Sequence, residues 1–281
     1  MKIINPTVEI IEQGDDLFKH IELCGRICYK SEDKITDDSA EKFVQMLINK
    51  GHTAMLEHAT VYLNYPYKEN DCDNWNDILR KYKSNPYSKV KWTTGKPNDL
   101  LITTNYRVIH ENDWHDDLKY ICNPTEHHQK RISVRFVCDR GVSHELVRHR
   151  VFSFAQESTR YCNYSKDKFN NEITFIFPNW LGLSYMTPDW YGKPDPNLEH
   201  RAFYHILEQC EKSYLRLLEL GWQPQQARAV LPTALKTEVV MTGFVSDWEH
   251  FFTLRTSKAA HPQMRELAVS LYQKFSEKEI I

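Results

Sequence analysis

The sequence predicts an α+β fold, a mixed or antiparallel sheet flanked by helices with no Rossmann domain. Three observations predict it. Helix-period and strand-period segments share one 281-residue chain without a steady βαβ alternation. No glycine-rich dinucleotide fingerprint follows any strand-like segment. No internal repeat and no low-complexity linker divides the chain, so residues 1–281 read as a single domain large enough to bury a substantial core.

In chain order, residues 2–11 read as a short strand interrupted by Pro6. Ser39 to Lys50 reads as a helix, because Phe43, Met46 and Leu47 share a face and Gly51 can stop it. Ala59 to Tyr65 alternates, with Val61, Leu63 and Tyr65 on one side, as a half-buried strand does. Residues 66–130 are polar and rich in Asn, Asp, Lys and Trp, and read as an insertion holding short helices over Trp75–Lys83 and Trp114–Cys122. Ile132, Val134, Phe136 and Cys138 alternate as a second strand. Gly141-Val142-Ser143 then opens a helix, with Ser143 as a plausible N-cap, that carries Arg148. Residues 166–200 read as loop, with Pro178, Pro188, Pro194 and Pro196.

A long helix follows, with Phe203, Leu207, Cys210, Tyr214 and Leu217 at helical spacing and Gly221 at its end. Pro224 starts the next helix, where its missing N–H costs least. Leu235 to Val245 is strand-like, and Ser246-Asp247-Trp248-Glu249 has the form of a capping box opening a helix through Arg255. Pro262 starts the last helix, with Met264, Leu267, Ala268 and Leu271 inward.

The net charge is −2, so no global field recruits nucleic acid, and any anion site must be local. Seven cysteines without a Cys-x-x-Cys pair suggest reduced thiols in a cytoplasm rather than a disulfide framework or a zinc site. The opening residues lack the apolar region of a secretory leader, and no apolar run approaches membrane-spanning length.

The most informative stretch is Arg148-His149-Arg150-Val151-Phe152-Ser153-Phe154-Ala155-Gln156-Glu157-Ser158-Thr159-Arg160-Tyr161. Basic runs usually mark a solvated face, but here Val151, Phe152 and Phe154 sit among the charges. Arginines held against a core need fixed anionic partners, and their planar forks suit phosphate and carboxylate oxygens. The segment therefore reads as a preorganised pocket for a small polyanion, or as a structural ion-pair cluster.

The same segment resembles a family signature: Arg-His-Arg, seven residues, Ser, one residue, Arg, here Arg148-His149-Arg150, Ser158 and Arg160. It is similar to that of the flavin-dependent thymidylate synthases. Gly51-His52-Thr53-Ala54-Met55-Leu56-Glu57-His58, Arg26-Ile27-Cys28-Tyr29, Ala227-Arg228-Ala229-Val230-Leu231-Pro232 and Leu254-Arg255 resemble further family blocks in the same order. The resemblance covers most of the chain except 66–130 and about 166–200, which makes 66–130 a family-variable insertion expected to lie apart from the flavin.

The resemblance implies reductive methylation of deoxyuridine monophosphate (dUMP) to dTMP. The carbon would come from 5,10-methylenetetrahydrofolate, the hydride from FAD reduced by NADPH, with no metal. It places Glu145, Arg148, Gln156, Ser158, Thr159, Arg160, Arg228 and Arg255 at dUMP, with Arg255 against the uracil as the catalytic residue. It places His52, Ala54, Arg148, His149, Arg150, Gln156, Phe244, Ser246 and His250 at FAD, with Thr53 able to stand in for the hydroxyl that Ala54 lacks. Some members carry Asn-Glu where this chain has Ala155-Gln156, Gln where it has Glu145, and, on the adenine side of FAD, Asn, Arg and Asn where it has Phe244, Ser246 and His250. A homotetramer with sites shared between subunits is implied as well, with neither nucleic acid nor membrane as a partner.

One absence agrees with this reading. A cysteine-dependent thymidylate synthase needs a nucleophilic thiol, normally in Pro-Cys, and no Pro-Cys occurs. Ser158 has no evident Ser-His-Asp relay. Two other classes of function remain at this level: a nucleic-acid-binding module built on the Arg-His-Arg stretch, and a nucleotide sensor without catalysis.

Overall fold

The computed structural model describes residues 1–68, 72–93, 98–181 and 198–281. Pro188, Pro194 and Pro196 of the expected loop lie outside the described residues. In chain order the strands are β1 (Lys2–Ile4), β2 (Thr7–Ile11), β3 (Thr60–Tyr65), β4 (Lys89–Trp92), β5 (Leu100–Asn105), β6 (Arg131–Asp139), β7 (Ser153–Gln156), β8 (Thr174–Ile176) and β9 (Lys236–Phe244). The helices are α1 (Leu17–Tyr29), α2 (Ser39–Asn49), α3 (Cys72–Lys83), α4 (Tyr106–Glu111), α5 (Arg140–Leu146), α6 (Leu198–Glu219), α7 (Pro224–Ala227), α8 (Val245–Arg255) and α9 (Pro262–Glu277).

The α+β expectation holds, but the strands divide among three sheets. The central one is antiparallel, in the order β2-β6-β9-β7. Alternation along β6 sorts its side chains between two faces. Val134, Phe136 and Cys138 pack with Trp248 and Phe251 of α8 and Leu267, Leu271 and Phe275 of α9. Trp248 is fully buried there, and truncating it to alanine would cost about 3–5 kcal/mol. The other face of the sheet receives α1, through Cys24 and Ile27 against Ala155 and Val240.

Helix α1 is absent from the sequence reading. Its start is set by Asp16, whose carboxylate accepts from the N–H groups of Phe18 (2.9 Å) and Lys19 (3.1 Å). Ile21, Cys24 and Ile27 give it an inward stripe. Gly51 does end the expected helix α2, at φ +68°, a conformation glycine reaches without strain.

Pro6 separates two strands rather than interrupting one. β2 pairs with β6, whereas β1 pairs in parallel with β8, a strand inside the stretch expected to be loop. The stretch 66–130 also departs from expectation. Besides α3 and a 3₁₀ turn over His115–Tyr120, it contributes β4 and β5. β5 is the centre of a three-stranded antiparallel sheet, β3-β5-β4, with all six residues buried. Continuous burial removes the alternation that would have betrayed it.

Two helix starts are corrected. Ser143 is not the cap of α5; Asp139 is, its Oδ1 accepting from the Val142 N–H at 2.7 Å. Helix α5 stops at Leu146, so Arg148 sits in the following turn. Ser246 does not cap α8 either. The helix begins at Val245, and Asp247 accepts from the Phe244 N–H at 3.1 Å. In both cases a carboxylate near the first turn wins over the serine, as the N-terminal dipole favours.

Candidate active site

The signature residues occupy the turn after α5, strand β7 and the turn after it. Strand β7 is pinned at the sheet edge against β9, Ser153 opposite Thr242 and Gln156 opposite Val239. Gly243 permits this approach, since a Cβ there would lie 2.3 Å from the Phe152 ring.

At one end, Arg255 of α8 reaches α5. Its Nη1 donates to Glu145 Oε2 at 2.6 Å, its Nη2 to the Glu145 carbonyl at 3.1 Å and its Nε to His149 Nε2 at 2.9 Å. A guanidinium only donates, so His149 presents a lone pair on Nε2 and carries its proton on Nδ1. Burial, then the charges of Arg255 and His250, lower the His149 pKa to about 4, so the ring is neutral at pH 7. Two of the five Arg255 N–H groups remain for a ligand. A cavity of about 280 Å³ opens beside Glu145, lined also by Gly141, Pro178, Trp180 and His261.

Gln156 Nε2 donates to Ser143 Oγ (2.9 Å) and Thr237 Oγ1 (3.3 Å), which fixes it beside the same helix. Next along the chain, the Ser158 N–H donates to the Cys28 carbonyl (2.9 Å) and Ser158 Oγ accepts from the Arg160 N–H (3.3 Å). Arg228 Nη1 donates to Thr159 Oγ1 at 3.1 Å, which joins the 3₁₀ turn Arg228–Val230 to the signature. Arg148, Arg150, Arg160 and Arg228 are exposed, and none forms an ion pair among the described residues. The structural ion-pair reading of the segment therefore fails for its three arginines, Arg148, Arg150 and Arg160, although Glu157 within it pairs with Lys236.

Between them, Glu157 points the other way. It is 2% exposed; Lys236 Nζ donates to its Oε2 at 2.9 Å and the Tyr164 hydroxyl to its Oε1 at 3.3 Å. Lys236 also pairs with Glu238, which in turn meets Lys30 (2.6 Å) and Arg135. Burial alone would raise the Glu238 pKa, but Lys236 and Lys30 override it and hold the carboxyl at about 2. This closed charge network anchors the turn from beneath and was not anticipated.

The remaining candidates lie apart from this cluster. His52 is exposed, with Nδ1 3.3 Å from the Tyr29 hydroxyl, and Tyr29 packs on Tyr161 of the signature at 5.3 Å between ring centroids. Ala54 is exposed on the 3₁₀ turn Thr53–His58, and Thr53 Oγ1 donates to Glu111 at 2.7 Å instead of facing outward. Phe244 and Ser246 sit at the far end of β9 from Thr237, roughly 23 Å along the strand. His250 is exposed on α8 and lies near enough to act on His149.

Arg131, missed in the sequence, organises the ground between these groups. It is buried and donates to the Glu57 carbonyl at 3.0 Å, and more weakly to Thr60 Oγ1 and Ser153 Oγ, both at 3.4 Å. Its guanidinium lies 5.7 Å from the Phe244 ring centroid. A lone arginine at a strand start carries no local signal of burial. A cavity of about 850 Å³ lies to one side, along Ile11, Tyr62, Ile132 and Lys278, and shares Arg131 and Thr60 with this ground.

The thiols in and around the core are poorly suited to attack. Burial raises the Cys28 pKa to about 11 and that of Cys162 to about 12, and pushes Cys24 and Cys138 higher still. None of the seven cysteines forms a disulfide among the described residues. Among the described residues no helix is long and apolar enough to cross a membrane.

Comparison with known proteins places these residues in context. The pattern of the family described as thymidylate synthase complementing protein matches residues 101–279, so the match begins inside the 66–130 stretch. The flavin-dependent thymidylate synthase of Corynebacterium aurimucosum is 30% identical over 269 residues, 93% of this chain and 77% of its own length. That of Pyrococcus abyssi is 27% identical over 207 residues, 72% of this chain and 79% of its own. With the Pyrococcus furiosus protein of the same name, the chain is 29% identical over about half of each, 51% and 53%. Among solved structures, a UMP/dUMP methylase of Streptomyces cacaoi bound with 5-Br dUMP aligns over 99% of this chain and 93% of that one, at 17% identity and a TM-score of 0.46.

Proposed function

Since the chain belongs to the thymidylate synthase complementing protein family, the flavin-dependent thymidylate synthases, we propose that it methylates C5 of dUMP to give dTMP. The observation that carries the reading beyond the family is the row of cations without ion pairs along β7 and its two turns, Arg148 and Arg150 before the strand, Arg160 after it and Arg228 joined to Thr159, in a chain with net charge −2. Such a row suits a nucleotide phosphate and a dinucleotide diphosphate.

In this reading Ser158, Thr159, Arg160 and Arg228 hold the dUMP phosphate. Glu145, Arg148, Gln156 and Arg255 surround the base. The free N–H groups of Arg255 face the uracil carbonyl and N3, where a fixed guanidinium stabilises negative charge developing on the ring and makes C5 nucleophilic. Glu145 and His149 keep that guanidinium in one orientation. The neutral His149 can do so without repelling it. Ser158 binds rather than attacks: its hydroxyl accepts from the Arg160 N–H and has no imidazole partner among the described residues.

The residues present fit FAD. His52, Ala54, Arg148, His149, Arg150, Gln156, Phe244, Ser246 and His250 would hold it, the unpaired arginines being suited to its phosphates. When bound and reduced by NADPH, FAD would supply the hydride that reduces the one-carbon unit from 5,10-methylenetetrahydrofolate to the methyl group on C5. The separation of Phe244 and Ser246 from the signature turn suits sites completed by neighbouring subunits, as in the homotetramer that the family resemblance implies. Seven cysteines with no disulfide among the described residues accord with a reducing cytoplasm.

The test is an anaerobic absorbance spectrum with NADPH followed by a methylene-transfer assay on dUMP. Bleaching of a bound flavin and formation of dTMP are expected. A protein that binds dUMP yet neither holds flavin nor forms dTMP would favour the nucleotide-sensor reading.

A further inference from the structure

Strand β4, inside the stretch 66–130, delivers one lysine to the end of β9. Lys89 pairs in register with Thr103 of β5, so its backbone is fixed by the three-stranded sheet. Its ammonium lies 2.8 Å from Ser246 Oγ and 4.1 Å from the Phe244 ring centroid. These are contacts across 157 residues of sequence, and they bind β4 to the start of α8.

Neither cation at this spot has a salt-bridge partner among the described residues. Lys89 forms no ion pair among the described residues. Arg131, also without an ion pair, approaches the same ring at 5.7 Å. Asp247 and Glu57 act on Arg131 only from beyond contact: Asp247 accepts from the Phe244 N–H at 3.1 Å, and Glu57 pairs with Arg107 at 2.6 Å. Burial lowers the Arg131 pKa only to about 10, so it too is a cation at pH 7. Two cations held against one aromatic ring repel each other, an arrangement that a bound anion relieves. Lys89 spends one of its three N–H donors on Ser246 and is half-buried, with the others free to meet an oxygen.

We propose that Lys89, together with Ser246, binds a phosphate oxygen on the adenylate side of the flavin dinucleotide, so that the 66–130 stretch completes the cofactor site. This rests on the reading of the chain as a flavin enzyme, with Phe244 and Ser246 on the adenosine side. It reverses the expectation that the stretch lies apart from the flavin. The three-stranded sheet then acts as the arm that carries the cation.

Equilibrium dialysis of the full chain against FAD and against FMN, which lacks the adenylate, tests it. Lys89→Met is expected to weaken FAD binding about tenfold and to leave FMN binding within twofold of the unsubstituted protein. Lys89→Arg is expected to keep FAD affinity within about threefold. Should Lys89→Met fail to fold, Lys89→Gln, which keeps length and polarity, replaces it with the same expectation. Equal FAD affinity in Lys89→Met and the unsubstituted protein overturns the assignment, as does equal weakening of FAD and FMN. If the unsubstituted protein binds neither flavin, the flavin-enzyme reading fails instead.

Discussion

Arg255 Nη1 and Glu145 Oε2 meet at 2.6 Å, joining two helices across 110 residues of sequence. The pair makes the guanidinium a fixed element rather than a mobile surface charge. Arg255→Ala is expected to lower thymidylate formation by about 10²–10³. Bound flavin should remain, because the cations assigned to its phosphates are untouched. Steady-state rates beside the flavin spectrum check this; near-normal turnover would remove Arg255 from the chemistry.

Ser158→Ala should weaken dUMP binding more than it slows turnover. One hydrogen bond contributes about 0.5–1.5 kcal/mol net, or roughly 2- to 13-fold in the apparent dUMP constant. Mass spectrometry of the protein trapped with dUMP should find no adduct on this serine. A covalent Ser158–nucleotide species would restore a nucleophilic serine.

Glu157 supports the phosphate-binding turn from the buried side through Lys236 and Tyr164. Glu157→Gln leaves Lys236 its second partner, Glu238, so the loss is smaller than for an orphaned buried cation, about 1–3 kcal/mol. Urea unfolding reads that loss. The apparent dUMP constant should rise with it while flavin content stays constant, because the turn bearing Ser158 to Arg160 loosens. A stability unchanged within error would show that the carboxylate does not anchor the turn.

Three histidines make the fold acid-sensitive. Burial, and then neighbouring positive charge, lower the pKa values of His20 and His149 to about 4; burial, then His20 and Arg131, lower His58 to about 3. Between about pH 4 and 6.5 the unfolded chain holds protons on these rings that the folded chain does not, so stability rises with pH across that window. Below about 4.5 the contribution of Glu238 begins to fall too, while Asp139, raised by burial, acts in the opposite sense. Urea midpoints measured from pH 4 to 7 should climb and then level off near 7. A midpoint flat across that range would contradict the neutral, buried state of these rings.

Removing residues 66–130 and joining the flanking strands should abolish folding, not merely change oligomeric size. The deletion takes out β5, the buried centre of its sheet. It also removes Arg107 and Glu111, which hold Glu57 (2.6 Å) and Thr53 (2.7 Å) on the 3₁₀ turn Thr53–His58. Ile102→Asp, which places a carboxylate at a fully buried position of β5, should unfold the protein in the same way. Circular dichroism melts decide it: a cooperative transition in either variant would show the sheet to be dispensable.

The family and its chemistry were legible in the sequence because the signature is contiguous. Arg148, Gln156, Ser158 and Arg160 fall on one strand and its two turns, so the motif is read as a single run of sequence. The helix faces of α2, α6 and α9 and the alternation of β3 and β6 were legible for a related reason: each is a period set by local backbone geometry. Helix caps were less so, since Asp139 and Ser143, or Asp247 and Ser246, are equivalent in sequence until the backbone selects one acceptor. What only the tertiary structure decided is which distant elements meet. Glu145 with Arg255, Lys89 with Ser246, Arg131 with Glu57, and the buried β5 depend on sheet order and register, which arise from long-range packing and leave no periodic trace in the chain.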